Sequence, residues 1–241
     1  MRLGGAHGRI PAVDVARTAA IVAMVLFHLG RDLDMLGVVA PGTTYTDAWL
    51  WAARLIAGSF LFLVGVGLWL GHGAVVRWEA FLRRLALVSL GAALVSVGTF
   101  FAVPEAWVRY GILHSIAVSS VLALPFLRLP APLTALAGVL ALLLPRWIEI
   151  EALWLFWTGL ARPVPPQVDF EPVFPWIAPV LLGLAAAKAG DRFGRTERLR
   201  GANPAPWLDR LAWPGRHSLS IYLIHQPVLI GSILGLQALA G

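Results

Sequence analysis

The sequence predicts an all-α fold, a polytopic membrane helix bundle of about seven spans, with the N-terminus inside and the C-terminus outside. Composition is the first reason: 59% of the 241 residues are hydrophobic and only 13% are charged, about half the charged share of an average soluble domain. Mean hydropathy is +0.77. The second reason is length, since apolar runs near the roughly 20 residues that a helix needs to cross hydrocarbon follow one another along the chain. The third is the distribution of charge. With the N-terminus in the cytoplasm, most of the 19 Lys and Arg lie on the inner side, among them Arg2, Arg9, Arg77, Arg83, Arg84, Arg128, Lys188 and Arg192. The acids Asp32, Asp34, Asp47, Glu105, Glu149, Glu151, Asp169 and Glu171 lie outside. This is the positive-inside pattern.

The spans are predicted at 13–30, 48–70, 81–103, 111–127, 133–144, 173–188 and 218–236. The first carries Asp14 and Arg17 and has no small-residue cleavage site after it, which predicts a retained span rather than a cleaved signal. The second is rich in small residues. Its Gly67 and Gly71, four apart, predict close helix packing, and Arg54 near its outer end either snorkels or meets an anion. The outer loop 145–172 contains 151–160, an apolar stretch with Trp154 and Trp157 that is too short to cross. It is predicted as an interfacial or re-entrant helix. Residues 161–172 hold too many prolines for a helix and suggest a lid. Residues 189–214 form a basic cytoplasmic loop. With no repeat and no low-complexity tail, a single transmembrane domain over 1–241 is the simplest organisation.

The net charge of +6 and pI near 10.9 follow from this asymmetry. No basic groove with aromatic platforms accompanies them, so nucleic acid is not an expected partner. The chain has no cysteine, which excludes disulfide and thiolate chemistry. Phosphate-loop, dinucleotide, zinc-helix and nucleophile-elbow motifs are absent, and no metal is expected.

Ionisable groups at bilayer depth are costly and usually face a cavity or a partner. In span one, Asp14 lies one turn before Arg17 and can pair with it. His28, eleven residues after Arg17, falls on the same face about 16 Å further along the axis. Asp32 lies one turn beyond His28, where a carboxylate can orient an imidazole. Either His28 is a base or nucleophile in a polar cavity, or it is an interfacial residue above a structural ion pair. In span four, His114 lies at a depth similar to His28 and heads a stripe of Ser115, Ser119 and Ser120. Those serines can instead satisfy themselves on the preceding turn. In span seven, Ser218, Tyr222 and His225 share a face. His225 beside the helix-breaking Pro227 is better explained by function than by packing.

These residues resemble a family. The run from Asp14 and Arg17 to His28, with Met24-Val25-Leu26-Phe27 before the histidine, resembles the opening of the membrane acyltransferase superfamily. Its members include the bacterial heparan-α-glucosaminide N-acetyltransferase-like proteins and the related acyltransferase-3 group. Residues 59–65, Gly111-Ile112-Leu113-His114, residues 174–179 with Gly183, and 218–227 are similar to later family segments. Thr18 departs from the pattern, which usually has glycine there. The resemblance implies acyl transfer, in which acetyl-CoA or another cytoplasmic acyl-CoA donates to a hydroxyl or amine on an envelope glycan or lipid. His28 and His114 would then be candidate bases and Arg17 a group for the thioester oxygen or a CoA phosphate. Asp14, Asp32, Tyr222, His225 and Ser218 would contact substrate or cofactor. The location implied is the inner or plasma membrane. The alternative is a transporter or flippase of a polar lipid or sugar that does no chemistry, and a haem or quinone protein is the third reading.

Overall fold

The computed structural model describes residues 10–201 and 206–240. Arg2 and Arg9 of the inner basic set lie outside the described residues. The fold is all-α. Its helices are α1 (Pro11–Met35), α2 (Asp47–His72), α3 (Trp78–Ala102), α4 (Ile112–Leu122) and α5 (Ala131–Leu143), then α6 (Val173–Arg192), α7 (Arg195–Gly201), α8 (Pro206–Leu211), α9 (Trp213–Arg216) and α10 (Ser218–Ala240). Among the described residues, five helices are long and apolar enough to cross a membrane: α1, α2, α3, α6 and α10. The predicted fourth and fifth spans are shorter apolar helices. Proline sets these lengths. Pro125 opens a 3-10 turn just after α4, and Pro130 precedes α5, each lacking the N–H a continuous helix needs.

By compactness the chain forms two units: residues 1–60 with 196–241, and residues 61–195. In the first unit α1 packs against α8, α9 and α10. Pro11 at the first position of α1 and Asp14 in its first turn suit a helix start. Its end is fixed by Asp34, whose carboxylate accepts from the N–H of Gly42 and from the N–H and hydroxyl of Thr44 at 2.6–3.0 Å. That cap pins the connection to α2. Trp49 of α2 then lies against Phe27, with ring centroids 5.2 Å apart, and against Gly30, where a Cβ would collide with its indole. The basic loop predicted at 189–214 is largely helical, as α7, α8 and α9.

The second unit packs α5 and α4 against α6, and α3 against α4. Its core includes Leu61, Leu68, Val180 and Leu184, all with almost no exposure. Gly65 lies directly on the Val180 carbonyl and Gly183 on the Phe62 carbonyl, so backbones touch there as small residues permit. At Gly71 the nearest neighbour is only the far end of Arg77, so the close approach falls at Gly65 and not there. In the outer loop, β1 (Ile150–Glu151) pairs in parallel with β2 (Ala161–Arg162). Between them the Trp-rich segment is a 3-10 helix, Leu153–Thr158, ended by Gly159 at φ 81°. Residues 166–170 do not hang free as a lid. Gln167 accepts from the N–H groups of Arg109 and Tyr110, Asp169 accepts from that of Ile112, and Val168 N–H donates to Ala106. Large apolar side chains such as Leu55, Leu94, Phe101, Leu136 and Leu234 remain exposed, as a hydrocarbon-facing surface requires.

Candidate active site

The first unit brings together four polar residues from α1 and α10. His28 and His225 meet edge to face with ring centroids 4.8 Å apart. His28 is half-buried, whereas His225 is only 8% exposed. The Nδ1 of His28 lies 3.0 Å from the Met24 carbonyl, and that of His225 lies 2.6 Å from the Tyr222 carbonyl. A carbonyl oxygen only accepts, so both Nδ1 atoms carry the proton. The neutral rings therefore hold their lone pairs on Nε2. His225 Nε2 is buried without a partner among the described residues.

Asp32, one turn after His28, is 2% exposed. The spacing suggested that it orients the His28 ring, but that position at Nδ1 belongs to Met24. Asp32 Oδ1 instead accepts from Gln226 Nε2 at 2.7 Å, across 194 residues of sequence. Its Oδ2 and the Gln226 Oε1 are buried without partners among the described residues. Gln226 did not stand out in the sequence. An amide at mid-span beside His225 was the available signal. The Tyr222 ring lies tilted beside that of His225, with centroids 5.6 Å apart. Ser218 is half-buried at the start of α10.

At the other end of α1 the expected Asp14–Arg17 pair is present, with Arg17 Nη1 2.8 Å from Asp14 Oδ1. Asp14 is buried and faces a second cation, the Nε of Arg216 in α9, at 3.7 Å. Arg216 also binds Asp209. Arg216 was missed as a partner of Asp14 because the two are far apart in sequence. The Thr18 hydroxyl accepts from Gly215 N–H at 2.9 Å and donates to the Leu211 carbonyl at 2.7 Å. Gly215 lies against the Asp14 carbonyl with no room for a Cβ.

His114 belongs to the second unit, and both of its ring nitrogens are engaged. Gly111 N–H donates to Nδ1 at 3.2 Å, and Nε2 lies 3.4 Å from Ser96 Oγ, whose own proton goes to the Val108 carbonyl. The ring thus caps the start of α4 and ties it to α3. Asp169 adds the cap on Ile112, and Glu171 hydrogen-bonds Asp169. Burial and the Asp169 carboxylate beside it hold the Glu171 carboxyl well above the usual range. Burial also raises the Tyr110 phenol, whose ring stacks near His114 at 5.6 Å. Ser120 bonds back to Ile116, while Ser115 and Ser119 are buried without partners among the described residues.

A profile described as heparan-alpha-glucosaminide N-acetyltransferase, catalytic, matches residues 9–227. The chain belongs to this family. No curated protein matches it, and no solved structure does. Membership makes the protein a multi-pass membrane protein of an acetyltransferase family. The matched residues include both His28 in α1 and the Ser218–Pro227 part of α10.

Proposed function

We propose that the protein moves an acetyl group from cytoplasmic acetyl-CoA to an amine or hydroxyl of a glycan or lipid on the outer side of the inner or plasma membrane. His28 is the general base. The observation that carries this reading is the fixed tautomer of His28: Nδ1–H is held by the Met24 carbonyl, which leaves the Nε2 lone pair to take a proton. The acceptor's nitrogen or oxygen attacks the thioester carbonyl carbon as its proton passes to His28 Nε2. The C–S bond then breaks, and the imidazolium returns the proton to the departing thiolate. An acetyl-imidazole route would use the same atom as nucleophile.

Arg17 lies about 16 Å along α1 from His28, too far to reach a carbonyl that is attacked there. It is assigned to a phosphate of CoA, an anion that guanidinium groups bind well. Asp14 holds it in place and is itself paired with Arg216. His114, with both nitrogens engaged, is assigned to positioning α4 rather than to proton transfer.

The test uses the full chain in lipid nanodiscs with labelled acetyl-CoA and an extract of envelope glycans. His28→Ala is expected to lower transfer by roughly 10²–10⁴-fold. Undiminished transfer in that variant would end the assignment. Mass spectrometry of a quenched reaction separates the two routes, since only the covalent one leaves acetyl on His28.

A further inference from the structure

The pairing of Asp32 with Gln226 is unusual for a buried carboxylate. Asp32 is almost wholly enclosed and makes no salt bridge with Lys or Arg among the described residues. Its one hydrogen-bond donor is a neutral amide, and Oδ2 has none. As a structural staple this is a poor arrangement, because an under-paired buried charge is costly to hold out of water. An aliphatic pair of similar volume would join α1 to α10 more cheaply.

The position of the carboxylate supplies a reason to keep it. Asp32 is one helical turn from His28, and His28 Nδ1 is already satisfied by Met24. The carboxylate therefore does not choose the tautomer. What it can do is act through space on the cation that forms when Nε2 takes a proton. Such preorganised charge is effective only if it does not swing away. The side chain that stops it swinging is Gln226, which grips Oδ1 and leaves Oδ2 open. Gln226 adjoins His225, whose ring rests on His28, so one turn of α10 seats both the ring and the carboxylate.

We propose that Gln226 is a positioning residue for acyl transfer: it fixes Asp32 so that its carboxylate stabilises the His28 imidazolium as the acceptor's proton arrives. This rests on the reading of His28 as the base. It assigns a role to a residue that makes no contact with the reacting atoms.

Two variants in the full chain test it, each measured for kcat, KM and thermal stability. Gln226→Met keeps the length and removes the donor. It is expected to lower kcat about tenfold or more with KM within about twofold, the signature of a contribution made in the transition state. The exchange Asp32→Asn with Gln226→Glu keeps an amide–carboxyl hydrogen bond between α1 and α10 but moves the negative charge off α1. It is expected to restore thermal stability and leave kcat low. Recovery of both stability and kcat would overturn the proposal, because the bond would then be a staple and nothing more. A kcat within twofold of wild type for Gln226→Met would overturn it too. The rate at which diethylpyrocarbonate modifies His28, followed by mass spectrometry against pH, gives a readout independent of turnover. Its midpoint is expected to move in Gln226→Met, and an unmoved midpoint counts against the proposal. Failure of the underlying reading looks different: His28→Ala would then transfer acetyl as well as wild type, whatever Gln226 does.

Discussion

At the scale of single residues, Thr18 joins two parts of the first unit: its hydroxyl accepts from Gly215 N–H and donates to the Leu211 carbonyl. Two backbone groups at the α8–α9 junction thus find their partner in α1. Thr18→Val preserves the shape and removes both bonds. It is expected to cost about 0.5–1.5 kcal/mol, the net worth of a hydrogen bond at a partly exposed junction, and to lower the thermal midpoint in detergent. Thr18→Ser, which keeps the hydroxyl, is expected to stay close to wild type, and equal loss in both variants would assign the effect to the methyl group instead. The sequence made the ion pair of Asp14 with Arg17 legible because three residues is a helical spacing. It could not show Gly215, Arg216 or Gln226 as partners of α1, because spacing along one helix says nothing about which distant helix lies opposite.

At the scale of elements, the segment 166–171 behaves as a strap over the start of α4. Its grip has a titratable component, since Glu171 hydrogen-bonds Asp169, which in turn caps Ile112. A hydrogen bond between two carboxyls requires one proton, and Glu171 keeps it to a pH well above the ordinary glutamate value of about 4.3. The sign follows from linkage. With the folded-state value raised, the stabilisation is fully present below the ordinary value and is lost as pH rises through the raised one. Hydrogen exchange of the backbone amides of 166–171 is therefore expected to quicken as pH climbs through that window, after correction for intrinsic exchange. Glu171→Gln, which keeps a donor but cannot ionise, is expected to flatten the profile. A wild-type profile already flat, or one unchanged by the substitution, would show that the carboxyl pair does not control the strap. The Pro-rich composition announced an irregular loop here. Its tethers were not legible, because Gln167 and Asp169 act on backbone groups nearly sixty residues earlier.

At the scale of the whole molecule, the apolar runs located every long helix, while the number of crossings depends on α4 and α5. Each is shorter than the 20 or so residues of a full span. Two contacts within the second unit fix their reach. Asp169, four residues before α6, caps the start of α4, so α4 and α6 begin at one level. The Lys188 ammonium, in the last turns of α6, bonds the carbonyls of Phe126 and Leu129 in the turn after α4. That turn therefore lies level with the far end of α6. Together α4 and its 3-10 extension run the depth that α6 runs between residues 173 and 188, and α5 returns. Counting them as crossings adds a pair, which leaves the sidedness of every other segment unchanged. The turn at 125–130 is thus the position that separates five crossings from seven. The chain has no cysteine, so Leu129→Cys, at a position 41% exposed, introduces a single reactive thiol. In intact cells it is expected to resist a membrane-impermeant maleimide and to react once inside-out vesicles present the cytoplasmic face. Val168→Cys is expected to react in intact cells, and Trp207→Cys to behave as Leu129→Cys does. Labelling of Leu129→Cys from outside would return the count to five and place the α4–α5 hairpin as a re-entrant pair. Labelling of Trp207→Cys from outside would reverse the N-in orientation itself.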